Sequence, residues 1–309
     1  MIDEVRTPVE VKMRGVLPCL IGYGIFGFSF LFSKAVLEVT TPFTLLAFRF
    51  FIAFLVLNII RLIKKIPLSF RSKPVGKLLL LGVIQPLIYY MCETYGIALT
   101  STSMTGAVIG MGPIAGLILG AVLQKKRCTI PQFLCAFVSV AGTILAADPK
   151  AGQFSFAGLL CLLAALFSSA AFTILSKDIA EQFSSFERTY IMFAFGSAAF
   201  LIAAFLQNHG SPKMWIFPLT SAHFWISIFY LAVISSVCAY MLINASLNVI
   251  SAEAALVISN FASVISILSG IFILKDQTTK RQLLGIILII ISVVGSTIQM
   301  RAMPYAEKK

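Results

Sequence analysis

Residues 156–177 read FAGLLCLLAALFSSAAFTILSK, an uncharged run closed by Lys177. At 1.5 Å rise per residue such a helix is about 33 Å long, enough to cross a hydrocarbon layer about 30 Å thick. The run is continuously apolar and lacks the ten-residue alternation of outer-membrane strands, so it predicts a spanning helix and not a barrel strand. Working outward, comparable runs lie near 15–37, 42–63, 75–99, 102–124, 130–148, 187–207, 222–248, 251–274 and 281–301. The sequence therefore predicts an all-α integral membrane protein with ten transmembrane helices. The longest connection, about 208–221, leaves no room for a soluble domain.

Composition agrees. The 309 residues are 59% hydrophobic and 12% charged, against roughly 25% charged in soluble domains. The first run is too long, and its flank too mixed in charge (Asp3, Glu4, Arg6, Glu10, Lys12, Arg14), for a cleavable signal. With the N-terminus inside, seventeen of the 24 Lys and Arg residues fall in inner loops and tails, Arg188 among them. Six (Lys34, Lys150, Lys213, Lys275, Lys280, Arg281) fall outside, and Arg49 lies within a helix. This bias places both termini in the cytoplasm of a multi-pass cell-membrane protein. The formal net charge of +12 thus reports topology, and no nucleic-acid partner is expected.

The chain also repeats. At an offset of 143, Ser33-Lys34 meets Ser176-Lys177, Glu38 meets Glu181 and Phe50 meets Phe193; near 148–150, Leu99 meets Leu247 and Gln132 meets Gln282. This gives a first repeat over 15–150 and a second over 151–301, between tails at 1–14 and 302–309. Five helices per repeat is odd, so the second repeat must run inverted. Inverted repeats with a substrate site at mid-membrane are a plan of secondary transporters.

Specific residues carry a resemblance. Gly22-Tyr23-Gly24, Phe26, Phe30, Lys34, Pro42, Arg49-Phe50 and Ala53 resemble the opening of the EamA-type repeat of the drug/metabolite transporter superfamily, with Tyr23 where Trp is more usual. Asp276, Thr279, Gln282 and Gly285 are similar to its closing pattern; the first half has Lys126, Thr129, Gln132 and Cys135 there, without the acid and the glycine. The resemblance implies ten helices in two inverted repeats and outward transport of small metabolites such as amino acids.

Charges inside spanning helices face protein or water. Arg49 and Glu93 lie at similar depth, so they can pair beneath Lys34 and Glu38. Glu93 is expected either as half of a static ion pair or as a proton- or substrate-binding carboxylate. Gln85, Tyr89 and Glu93 recur every four residues and share a helix face. With Tyr240, Asn244, Ser259, Asn260 and Ser263 they are candidates for a substrate pathway, or for ordinary interhelical hydrogen bonds. Tyr23, Phe26 and Phe30 are candidate contacts for an apolar solute. Gly110, Gly112 and Pro113 mark tight packing or a hinge. A cavity among helices 1, 3, 4, 6, 8 and 9 is expected.

Other chemistries find little support. The cysteines form no C-x-x-C, and His209 and His223 have no ligand-spaced neighbour, so no metal, cofactor or catalytic residue is expected. Gly22–Gly27 matches G-x-G-x-x-G inside a spanning helix, without the strand that a dinucleotide site needs. No P-loop sequence occurs. A membrane-embedded enzyme and a channel are the rival classes to a carrier. Oligomeric state does not follow from the sequence.

Overall fold

The computed structural model describes residues 8–70, 73–100, 102–125, 129–146, 155–208, 211, 215–216, 219–273 and part of 279–292. The expected C-terminal tail, most of the last helix, Asp276 of the closing motif and His209 lie outside these described residues. Among the described residues the helices run in the order α1 (Pro8–Leu37), α2 (Pro42–Lys64), α3 (Val75–Leu99), α4 (Thr102–Ile109), α5 (Gly112–Gln124), α6 (Ile130–Ala146), α7 (Phe156–Asp178), α8 (Ser185–Gln207), α9 (Ala222–Ser246) and α10 (Ala252–Phe272), with further helical residues between 280 and 292. Among the described residues there is no strand. Six helices (α1, α2, α3, α7, α8, α9) are long and apolar enough to cross a membrane, joined by shorter apolar ones.

Side-chain oxygens fix several of the starts. Thr41, Ser155, Ser184, Ser221 and Ser251 each accept a backbone N–H from the first turn of the helix that follows. At Ser184 the Glu187 carboxylate answers the cap nitrogen, completing a capping box.

The run expected as one helix over 102–124 is two. The chain turns at Gly110-Met111 and restarts at Gly112. Pro113 then sits in the first turn of α5, where its missing N–H costs nothing. Two further irregularities match each other. α3 widens into a π-helical stretch at Val83–Tyr89, and α9 does so at Tyr230–Cys238, each starting eight residues into its helix. In α3 the proline at position 86 explains the loosened ladder; nothing in α9 signals it.

The two halves are interleaved. α1 packs on α9 and α10, while α7 packs on α3 and α5; α2 lies against α8. The first helix of each half thus rests on the later helices of the other. Phe50 of α2 stacks on Phe193 of α8 at 4.9 Å. Glycines let backbones approach: a Cβ on Gly27 would lie 2.6 Å from the Ala262 carbonyl oxygen, and one on Gly96 2.4 Å from Leu162.

Polarity runs inside-out relative to a soluble protein. Leu62, Ile63, Phe205 and Leu206 are exposed, whereas Arg49, Glu93, Arg188, Asn244 and Asn260 are each at most 2% exposed. Lipid on the outer surface accounts for both observations. Gly27→Ala is expected to cost about 1–3 kcal/mol through overpacking. It should therefore lower the unfolding midpoint of the detergent-purified protein, while Gly120→Ala, with open space around its Cβ, should not.

Candidate functional site

A cavity lies between the halves. Its wall comes from α1 (Tyr23, Phe26, Phe30), α3 (Gln85, Tyr89), the α4–α5 break (Ile109, Gly112), α7 (Leu166, Ser169, Phe172, Thr173), α9 (Tyr240, Ile243) and α10 (Leu256, Ser259, Ala262). These correspond to the six helices named from the sequence. No charged side chain is among the described residues that line it.

Of the pathway candidates, Gln85, Tyr89, Tyr240 and Ser259 reach the cavity. Gln85 Nε2 donates to Tyr240 Oη across the gap between α3 and α9. The ring of Phe26 meets Tyr240 edge-on at 5.1 Å, and that of Phe172 does so at 5.8 Å. Glu93 stands behind this wall, where Tyr89 Oη donates to its Oε1 at 2.5 Å.

Three candidates are elsewhere. Asn244 joins the cluster beneath α9, bonding Ser176 and Thr189. Asn260 donates to Ser139 Oγ at 2.8 Å. Ser263 faces Gly110, and Ser266 faces Gly106. The serine stripe of α10 is thus spent on the glycine face of α4 and α5, where small residues permit close packing. Gly110 and Pro113 bound the helix break, and the Gly110 carbonyl accepts from Ser139 at 3.4 Å.

The expected four-charge cluster does not assemble. Arg49 and Glu93 form no ion pair among the described residues; the bridge there is Lys73–Glu187 at 2.7 Å. Arg49 instead donates to Ser236 at 2.9 Å, Ser235 at 3.0 Å and Tyr90 at 3.2 Å, and lies over the Tyr90 ring. Hydroxyls from α9 disperse its charge, and sequence depth alone gave no sign of them. Lys34 Nζ donates to the Ile97 and Thr100 carbonyls at 3.0 Å each, closing the C-terminal end of α3. Glu38 is exposed.

Arg188, counted from sequence as a loop charge, is 0% exposed. Its guanidinium donates to Ser176 O and Oγ, Asn244 O and Asn248 Oδ1 at 2.8, 2.7, 2.7 and 2.5 Å. It closes the C-terminal end of α9 as Lys34 closes that of α3, where cations favour the helix dipole. Sequence reasoning also passed over Phe172, Thr173 and Ser169 of α7. Their spacing reads as one face of a helix, but nothing in the run singles that face out.

A multi-pass helical bundle with a cavity between helices of both halves is a membrane protein built around an internal site. The EamA-like transporter family matches residues 13–147 and again 156–298; the chain belongs to that family. Among its relatives, the "Uncharacterized transporter YcxC" of Bacillus subtilis (strain 168) is 30% identical over 281 residues, covering 89% of this chain and 90% of that one. "Uncharacterized transporter YwfM" of the same organism is 27% identical, covering 72% of each. A protein of known crystal structure shares the fold, with TM-score 0.73 at 18% identity over 94% of this chain and 99% of its own.

Arg188→Met leaves three buried acceptors, on Ser176 and Asn244, without their donor and should destabilise by about 3 kcal/mol or more. Thermal unfolding in detergent would read this as a drop of several degrees. Arg188→Lys should recover only part, because an ammonium cannot span acceptors on two helices as a guanidinium does.

Proposed function

We propose that this protein is a secondary transporter that exports small organic metabolites, amino acids or related solutes, by alternating access across the cell membrane. Ten helices in two inverted five-helix repeats, with both termini cytoplasmic, complete the reading. The observation that carries it is the cavity between the halves, lined by helices of both and walled in part by aromatic rings. Family membership supports transport in general.

The interleaving favours rocking of one helix group against another. Because α1 and α7 each rest on the opposite half, tilting one set opens one side of the cavity while pressing the other side closed. The break at Gly110-Met111 lies against the cavity and is the natural place for a bend. In this scheme Gln85, Tyr89, Tyr240 and Ser259 contact solute, and Glu93 acts through Tyr89.

Proteoliposomes containing the purified protein should show saturable, gradient-driven solute flux, and Tyr240→Ala should reduce it about tenfold or more by removing the ring that joins both cavity walls. Flux that rises linearly with concentration, or a steady ionic conductance, would show a channel instead.

A further inference from the structure

We propose that the cavity selects solutes by their hydrogen-bond donors, protonated amines above all, and turns away free carboxylates. This deepens the carrier reading and rests on it. Three hydroxyls on the cavity wall have already given up their protons. Tyr89 gives its hydroxyl proton to Glu93 Oε1 at 2.5 Å. Ser259 gives its own to the Leu256 carbonyl at 2.6 Å, and Thr173 to the Ser169 carbonyl at 3.0 Å. A hydroxyl has one proton and two lone pairs, so each of these oxygens has only lone pairs left for a solute. Gln85 adds to them: its Nε2 is engaged by Tyr240, and its Oε1 is buried without a partner.

Much of the remaining wall is aromatic, the rest being mainly aliphatic. Six rings line the cavity, and the electron-rich face of a ring attracts cations. The nearest guanidinium, Arg49, is not among the lining residues, and its hydrogen bonds go to Tyr90, Ser235 and Ser236. A carboxylate placed here would meet the unpartnered Gln85 Oε1 and the faces of the rings, with no cation in the described lining to offset its charge. An ammonium would find a ready acceptor in Gln85 Oε1, π-faces around it and the Glu93 carboxylate behind Tyr89. Amines, and amino-acid derivatives whose carboxylate is removed or masked as an amide or ester, fit this chemistry.

Three solutes sharing a phenyl ring and a short chain separate the possibilities: 2-phenylethylammonium, 3-phenylpropionate and phenylalanine. In calorimetric titration of the full-length, detergent-purified protein, the ammonium compound should bind about tenfold or more tighter than the propionate, with phenylalanine between. Gln85→Leu should weaken the amine about fivefold, and Gln85→Glu should tighten it. The glutamate variant preserves size, so it carries the test should the leucine variant fail to fold. Equal or tighter binding of the propionate overturns the proposal. So does absence of amine binding, or amine affinity that neither variant changes. Saturable flux of a carboxylate would overturn this selectivity and leave the carrier reading intact. Tight amine binding without saturable flux would do the reverse.

Discussion

Hydrocarbon offers no hydrogen-bond partner, so every backbone group freed by an irregular helix has to be met from within the bundle. Three places show how. The open C-terminal ends of α3 and α9 receive Lys34 and Arg188, a different residue from a different helix in each half. The carbonyl loosened where α4 gives way to α5 receives Ser139, which is itself held by Asn260. The polar side chains at these places answer to this demand.

The cavity has a different origin. Small residues draw α10 onto α4 and α5, and glycines draw α1 onto α10. Between these close seams, rings at Tyr23, Phe26, Phe30, Phe172 and Tyr240 meet at angles that cannot fill space completely. The void is therefore a product of mixing the smallest and largest side chains along the same helices. Its wall can change shape when rings turn, whereas the glycine seams have no side chain to yield.

The helices were legible because a spanning run is a long, one-dimensional signal, and α3, α7 and α9 begin where their apolar runs begin. The halves were legible because repeated residues such as Ser33-Lys34 and Ser176-Lys177 survive in register. The break at Gly110 was visible as glycine and proline. The site was only half legible. Tyr89 and Gln85 were found because they interrupt an apolar face, but a polar residue on a helix does not say which neighbour it will meet. Asn260 adjoins Ser259 on α10, yet a rotation of one residue turns it from the cavity wall to Ser139, while Ser263, on the same face one turn on, packs against Gly110. Arg49 was misjudged for a related reason: depth along a helix says nothing of azimuth, and Ser235 and Ser236 lie nearly two hundred residues away in the chain.

The paired π-helical stretches of α3 and α9 bear on where the cavity's polar groups point. A turn of this kind holds one residue more than an α-helical turn, and one residue is worth about 100° of rotation about a helix axis. Gln85 lies within the stretch of α3, and Tyr240 stands just beyond that of α9. The widened turns therefore set the azimuth at which amide and ring meet across the gap. Ironed into plain α-helix, the same two runs would turn those side chains toward other neighbours.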